Sequence, residues 1–100
     1  MSVREKRAAA FLKTLANEHR LRVLCRLVEG EKSVTQLQRS LGLRQSTLSQ
    51  HLARLRKEGL VQTRRESKII HYSLANSEAV PIIWLLYNRY CRQQDALGSD

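Results

Sequence analysis

"STLSQHLARLRKEGLVQTRRESKIIHYSL", residues 46–74, decides the fold, because its apolar period changes partway along. In the first half Leu48, Leu52 and Leu55 recur at i, i+4 and i+7, the spacing of one helix face. This predicts a helix over 45–58, ended by Gly59. In the second half, residues 60–65 and 69–74 are rich in Val, Ile, Thr and Tyr and flank the polar tip "ESK", Glu66 to Lys68. That pattern predicts a β-hairpin.

Upstream, "SVTQ" (Ser33 to Gln36) is a capping box. It predicts a third helix over 34–41, closed by Gly42. Asn17 is a suitable N-cap for a second helix over 18–29, ended by Gly30. A first helix over 3–15 places Phe11, Leu12 and Leu15 on its apolar side. Downstream of Asn76 the periodicity predicts a last helix, roughly 77–94. Pro81 must sit near its start, because deeper in it would break the backbone ladder. The tail "QQDALGSD", 93–100, is read as loose. The fold class is therefore mainly α with a small β-hairpin. Four helices, a hairpin and a fifth helix make a winged helix–turn–helix, with residues 34–58 as the helix–turn–helix.

One hundred residues are read as a single domain spanning 1–100. Hydrophobic residues are 42%, enough to fold. The formal charge of +9 points to a polyanionic partner. Residues 44–68 hold seven basic side chains against two acidic ones, so a quarter of the chain carries more than half of the surplus. Lys13 interrupts the N-terminal apolar run too early for a signal peptide. The run "AVPIIWLLY" is too short to span a bilayer. These features predict a cytoplasmic protein with no membrane partner, in which two cysteines are not a structural disulfide framework.

The helix over 45–58 turns its leucines inward. Its opposite face carries Ser46, Gln50, Ala53 and Lys57, flanked by Thr47, Ser49 and Arg54. These types suit a major groove: Gln pairs bidentately with adenine, Ser and Thr bond either edge, and an Ala methyl meets a thymine methyl. Arg44 and Gln45 open the helix and join this surface; His51 reads first as a surface or packing residue, with the DNA backbone as its other candidate contact. Arg54, Arg56 and Lys57 suit phosphates. Arg64, Arg65 and Lys68 on the hairpin reach the adjacent backbone or minor groove. Double-stranded DNA is the expected partner.

Ser46 to Leu74 closely resembles the recognition helix and wing of the ArsR/SmtB family of bacterial repressors. "LKTLANEHRLRVLCRL", Leu12 to Leu27, resembles that family's first two helices. The resemblance implies a homodimer on a palindromic operator, repressing transcription until an effector lowers DNA affinity. Arg44 departs from the family, which often has a small capping residue there. Either Ser46 holds that helix start or Arg44 contacts phosphate. The last helix is apolar without a gap over 82–87, so it needs cover on two sides. The domain's core supplies one side and a second copy the other. The resemblance implies the same, with the first helix contributing to the interface.

Metal sensing has little support. The third helix has no cysteine and the last helix no histidine, so the family's thiolate and interhelical zinc sites are absent. His19, His51 and His71 have no ligand-like spacing. No metal or other cofactor is expected. Cys25 falls at the border of a polar stripe of Arg22, Arg26 and Glu29. A border site leaves a path for a small reagent, and Arg22 one turn earlier favours a thiolate. Taken alone, Cys25 reads sooner as an inert packing residue than as a reactive thiol. Cys91 also sits at an apolar–polar border, between Tyr90 and Arg92. The pair stands where the persulfide-sensing branch of the ArsR/SmtB family has its reactive cysteines. That resemblance implies that reactive sulfur species bridge Cys25 and Cys91 and weaken operator binding. Sequence leans to Cys25 as the first to react, without deciding it. Two alternatives stay open: a DNA-binding antisilencing activator with inert cysteines, and a repressor answering another oxidant. A thiol–disulfide enzyme is disfavoured, since there is no C-x-x-C and no βαβ pattern.

Overall fold

The computed structural model describes residues 2–92. Four helices come first: α1 (Val3–Leu15), α2 (Glu18–Val28), α3 (Val34–Leu41) and α4 (Gln45–Lys57). A short strand, β1 (Lys32–Ser33), precedes α3, and β2 (Val61–Glu66) and β3 (Ile69–Leu74) form the hairpin. α5 (Val80–Leu86) runs into a π-helical turn over Tyr87–Cys91.

Local chemistry explains most of these boundaries. Asn17 accepts from the Arg20 N–H and starts α2. Ser33 and Gln36 satisfy each other's backbone in a capping box at α3. Gly42 adopts φ 69° at the end of α3 and donates to the Gln38 carbonyl, closing the helix within the helix–turn–helix. Arg44 occupies the N-cap of α4 with no side-chain cap, so neither it nor Ser46 holds that start.

Three expectations are corrected. The last helix does not begin at 77: residues 77–79 form a turn, and α5 opens at Val80 with Pro81 in its first turn. Nor does it stay α-helical, since the Arg92 N–H bonds the Tyr87 carbonyl at 2.7 Å in an i→i+5 turn. The hairpin turns on Ser67 and Lys68, because Glu66 pairs with Ile69 and Ser67 takes a positive φ of 59°. The loose tail, 93–100, lies outside the described residues.

The sheet has the order β1-β3-β2 and is antiparallel throughout. Period-2 alternation gives it two faces. Val61, Thr63 and Arg65 share one with Tyr72 and Leu74, and Tyr72 and Leu74 pack against the core. Arg64, Glu66, Ile69 and His71 share the other. The core joins Leu24 and Leu27 of α2, Leu37 and Leu41 of α3, Leu48, Leu52 and Leu55 of α4, and Ile83 of α5. The three α4 leucines are at most 1% exposed, as their spacing requires.

A polar junction ties α1 to the end of α4. Thr14 is fully buried, and its hydroxyl donates to the Glu58 carboxylate. The other Glu58 oxygen accepts from Arg54 Nε at 2.8 Å, and Arg20 Nε donates to the Thr14 carbonyl at 2.9 Å. Burial pushes the Glu58 carboxyl up, but the Thr14 and Arg54 hydrogen bonds outweigh it and hold the group below its ordinary 4.5. A depressed carboxylate contributes stability that is present above its unfolded value. That contribution is lost as pH falls through 4.5 and below. Glu58→Gln is expected to flatten the acid limb of thermal stability below about pH 5. A variant whose melting temperature falls with acid as steeply as the wild type would show that this junction has no such role.

Candidate nucleic-acid interface and cysteine pair

The exposed side of α4 carries Gln45, Ser46, Ser49, Gln50, Ala53 and Lys57, with Arg44 just before it. Thr47 is half-buried at the edge. An open groove of about 500 Å³ runs between α4 and the sheet, lined by Ser49, Ala53, Arg56, Lys57 and Tyr72. Two cations and two hydroxyls along a groove beside a helix are of the types that suit a phosphate backbone. Tyr72 was not among the sequence candidates. Only the hairpin register reveals it, by placing Tyr72 opposite Thr63 on the α4 side.

The hairpin divides its cations between two faces. Arg65 shares the face of Tyr72, and its Nε donates to the Ser67 carbonyl at 3.1 Å, bracing the turn. Arg64 lies on the opposite face. There its Nε and Nη2 donate to the two Glu31 oxygens at 3.0 and 2.7 Å, a bidentate pair. Glu66 stands 3.6 Å from Arg64 and 3.3 Å from His71 Nε2. The Arg64 hydrogen bonds hold Glu31 below the ordinary carboxylate value. Lys68 is exposed at the turn. Arg54 is engaged by Glu58 at 2.8 Å. Two of the arginines expected to meet phosphate are therefore paired with carboxylates when no DNA is present.

His51 sits at the inner edge of α4. Its ring lies 5.6 Å from that of His19 on α2, and it is half-buried. Burial, reinforced by Arg20, His19 and Arg54, holds it below 6.5, so it is neutral at neutral pH. The structure places it against α2, apart from the exposed α4 face.

The cysteines meet. Cys25 of α2 and Cys91 of the π-helical turn are joined as a disulfide, with Cα atoms 6.3 Å apart. Cys25 is 1% exposed, which corrects its expected border position. Cys91 is half-buried. By α-helical arithmetic of about 100° per residue, Cys91 would lie about 80° round from the buried Ile83. The wider π turn rotates it back toward that line and onto α2. Tyr87, which opens this turn, donates its hydroxyl to Glu29 at 3.1 Å at the end of α2. Among the described residues no cluster of three or more His, Cys, Asp or Glu side chains is placed to hold a metal.

The comparisons with known proteins agree with this geometry. Residues 17–63 match the family described as bacterial regulatory protein, arsR family. The chain is 46% identical to the transcriptional activator HlyU of Vibrio cholerae, over 92% of this chain and 85% of HlyU. It is 44% identical to the biofilm growth-associated repressor of Xylella fastidiosa, over 94% of this chain and 82% of that protein. The solved structure of V. cholerae HlyU superposes with a TM-score of 0.85, covering 92% of this chain and all of that one. The X. fastidiosa repressor BigR also superposes at 0.85, covering 91% and 90%. A winged helix–turn–helix with this degree of likeness across nine-tenths of its length places the chain in the arsR family of bacterial regulatory proteins.

Proposed function

We propose that the protein is a homodimeric transcriptional repressor whose affinity for a palindromic operator falls when Cys25 and Cys91 are bridged by reactive sulfur species. The observation that carries this reading is the bond between those two cysteines, from α2 to the end of α5. It ties α2 to the end of α5 in a domain that also presents the exposed face of α4 and a basic hairpin. Cytoplasmic residence follows from the same reading, because the partner is DNA. Among the described residues no helix is long and apolar enough to cross a membrane.

The dimer is supported by apolar surface that the single domain leaves open. Ile82, Trp84 and Leu85 of α5 and Leu12 of α1 are exposed, Leu85 at 60%. Reading two half-sites one DNA turn apart requires two α4 helices about 34 Å apart, which a two-fold dimer through this surface would have to supply.

The chemistry balances with a persulfide as oxidant. Cys91 is the more exposed residue of the pair, which favours it over Cys25 as the first to react. Its thiolate attacks the terminal sulfur of a persulfide, RSSH, and expels RS⁻, which takes up a proton. Cys91 then carries the persulfide. The Cys25 thiolate attacks the Cys91 sulfur and expels hydrosulfide. Two thiols and one persulfide thus become one disulfide, one thiol and hydrogen sulfide.

The test is fluorescence anisotropy of labelled DNA from upstream of the protein's own gene, with reduced protein and with protein treated with glutathione persulfide. The expected result is tight binding when reduced and a loss of about tenfold or more after treatment, a coupling of about 1.4 kcal/mol. A thiol reductant should reverse it, and Cys25→Ser should show no loss. Equal binding in both states overturns the switch. A second reading then stands, an antisilencing activator with inert cysteines, favoured by the name of HlyU as an activator.

A further inference from the structure

Cys25 lies in the last turn of α2, and the loop that follows that helix reaches the wing through Glu31 and Arg64. Two carboxylates separated by one glycine connect the cysteine pair to the wing. Glu29 caps the end of α2 and accepts from the Tyr87 hydroxyl at 3.1 Å. Burial, followed by the Glu29 carboxylate, raises the Tyr87 phenol above its ordinary value, so it stays the donor. Tyr87 in turn opens the π turn that ends at Cys91. One residue beyond Glu29 is Gly30, at φ 135°, a conformation that a side chain rarely adopts. Next comes Glu31, which holds both nitrogens of the Arg64 fork. The chain of contacts is thus unbroken: Cys91 and its π turn, Tyr87, Glu29, Gly30, Glu31 and Arg64.

We propose that Tyr87, Glu29 and Glu31 are positioning residues that carry the state of the cysteine pair to the wing. This inference rests on the reading of Cys25 and Cys91 as a switch. In the bridged form, Cys91 is anchored to α2 and the π turn brings Tyr87 onto Glu29. The loop at Gly30 is thereby fixed with Glu31 against Arg64, and Arg64 is withheld from phosphate. In the reduced form the end of α5 is no longer tied to α2. The Tyr87 anchor is lost, the Gly30 loop relaxes and Arg64 leaves Glu31 for the DNA backbone. The geometry suits a switch because the Arg64 fork holds only one bidentate partner at a time, and it fits a carboxylate and a phosphate equally; Glu66, at 3.6 Å, is the looser neighbour.

The consequence is a difference in salt dependence, not only in affinity. Each phosphate neutralised contributes about 0.9 to the slope of log K against log salt. A dimer that gains two Arg64–phosphate contacts on reduction should be steeper by about 1.8 when reduced than when bridged. A merely structural role for Tyr87 or Glu31 would not produce this.

The experiment measures DNA affinity between about 50 and 200 mM salt, with the full chain in both states and the bridge verified by mass. It compares wild type, Tyr87→Phe, Glu29→Ala, Glu29→Gln and Glu31→Gln. Tyr87→Phe and Glu29→Ala should bring the bridged form to within about threefold of the reduced form, with equal slopes. Glu29→Gln keeps an acceptor for the Tyr87 hydroxyl and should behave as wild type. Glu31→Gln should show the steeper slope in both states, since a neutral amide cannot compete with phosphate for Arg64. A Tyr87→Phe variant that melts like wild type and keeps the full difference in affinity and slope overturns the route while leaving the switch intact. A wild type with no difference between its two states overturns the switch, and the route with it.

Discussion

Leu52→Ala is expected to melt about 10–30 °C below the wild type. Leu52 is 1% exposed and lies on the inner face of α4 between Leu48 and Leu55. Truncating a buried leucine loses its transfer free energy and leaves a cavity, together about 2–5 kcal/mol. Domains of this size have about 5–15 kcal/mol in all, and each kilocalorie moves the midpoint by about 4–8 °C. The site has little room to relax, because α2, α3, α5 and the hairpin also contribute to this cluster. Thermal denaturation by circular dichroism measures the change. A fall of less than about 4 °C would mean that the core collapses around the vacancy and that α4 is not held by these contacts.

The residues that fix α4 were legible in the sequence because each acts locally. Leu48, Leu52 and Leu55 announce a face by spacing alone. Ser33 and Gln36 announce a helix start because a capping box needs only four consecutive residues. Gly42 announces its end because the cap requires a left-handed residue. β1 was not legible. Lys32 and Ser33 are too few to show a period, and they are a strand only because Tyr72 and His71 lie opposite. The π turn was not legible either, because Tyr87 to Cys91 has an ordinary helical composition. Its register follows α2, where Cys25 and Glu29 meet Cys91 and Tyr87.

The same distinction separates the parts of the candidate site. Which α4 residues face outward followed from helical arithmetic, and the structure exposes Ser46, Ser49, Gln50 and Lys57 as that arithmetic requires. Which cations are at liberty did not follow. Arg64 and its partner Glu31 are 33 positions apart. Arg54 and Glu58 stand at the i,i+4 spacing of a helical ion pair, yet the carboxylate is also drawn in by Thr14, 44 positions away. Composition counts all of these arginines alike. Burial of Cys25 escaped for a related reason: its position on α2 alone puts it at a border, and it is interior because residues distant in sequence, Cys91 among them, pack against it.

Gln50→Ala is expected to cost the operator complex a factor of about 30 to 10⁴ while leaving binding to random-sequence DNA within about twofold. Gln50 is exposed on α4, opposite the leucines, where an amide can bond both edge atoms of an adenine. One such pair is worth about 1–3 kcal/mol of discrimination, and a two-fold dimer loses it in both half-sites. Lys57→Ala makes the contrasting case. It removes a point charge from the groove between α4 and Tyr72. It should weaken operator and random DNA by similar factors and reduce the salt slope by about 2 per dimer, one phosphate per half-site. Anisotropy titrations of both variants on both DNAs over a range of salt separate the two roles. If Gln50→Ala instead weakened both DNAs equally, Gln50 would be a backbone contact, and the base-reading face would have to be sought nearer the start of α4, at Gln45 and Ser46. A Lys57→Ala variant with an unchanged salt slope would remove the groove from the DNA path and leave Arg44 and the hairpin cations Arg65 and Lys68 as the candidate phosphate contacts.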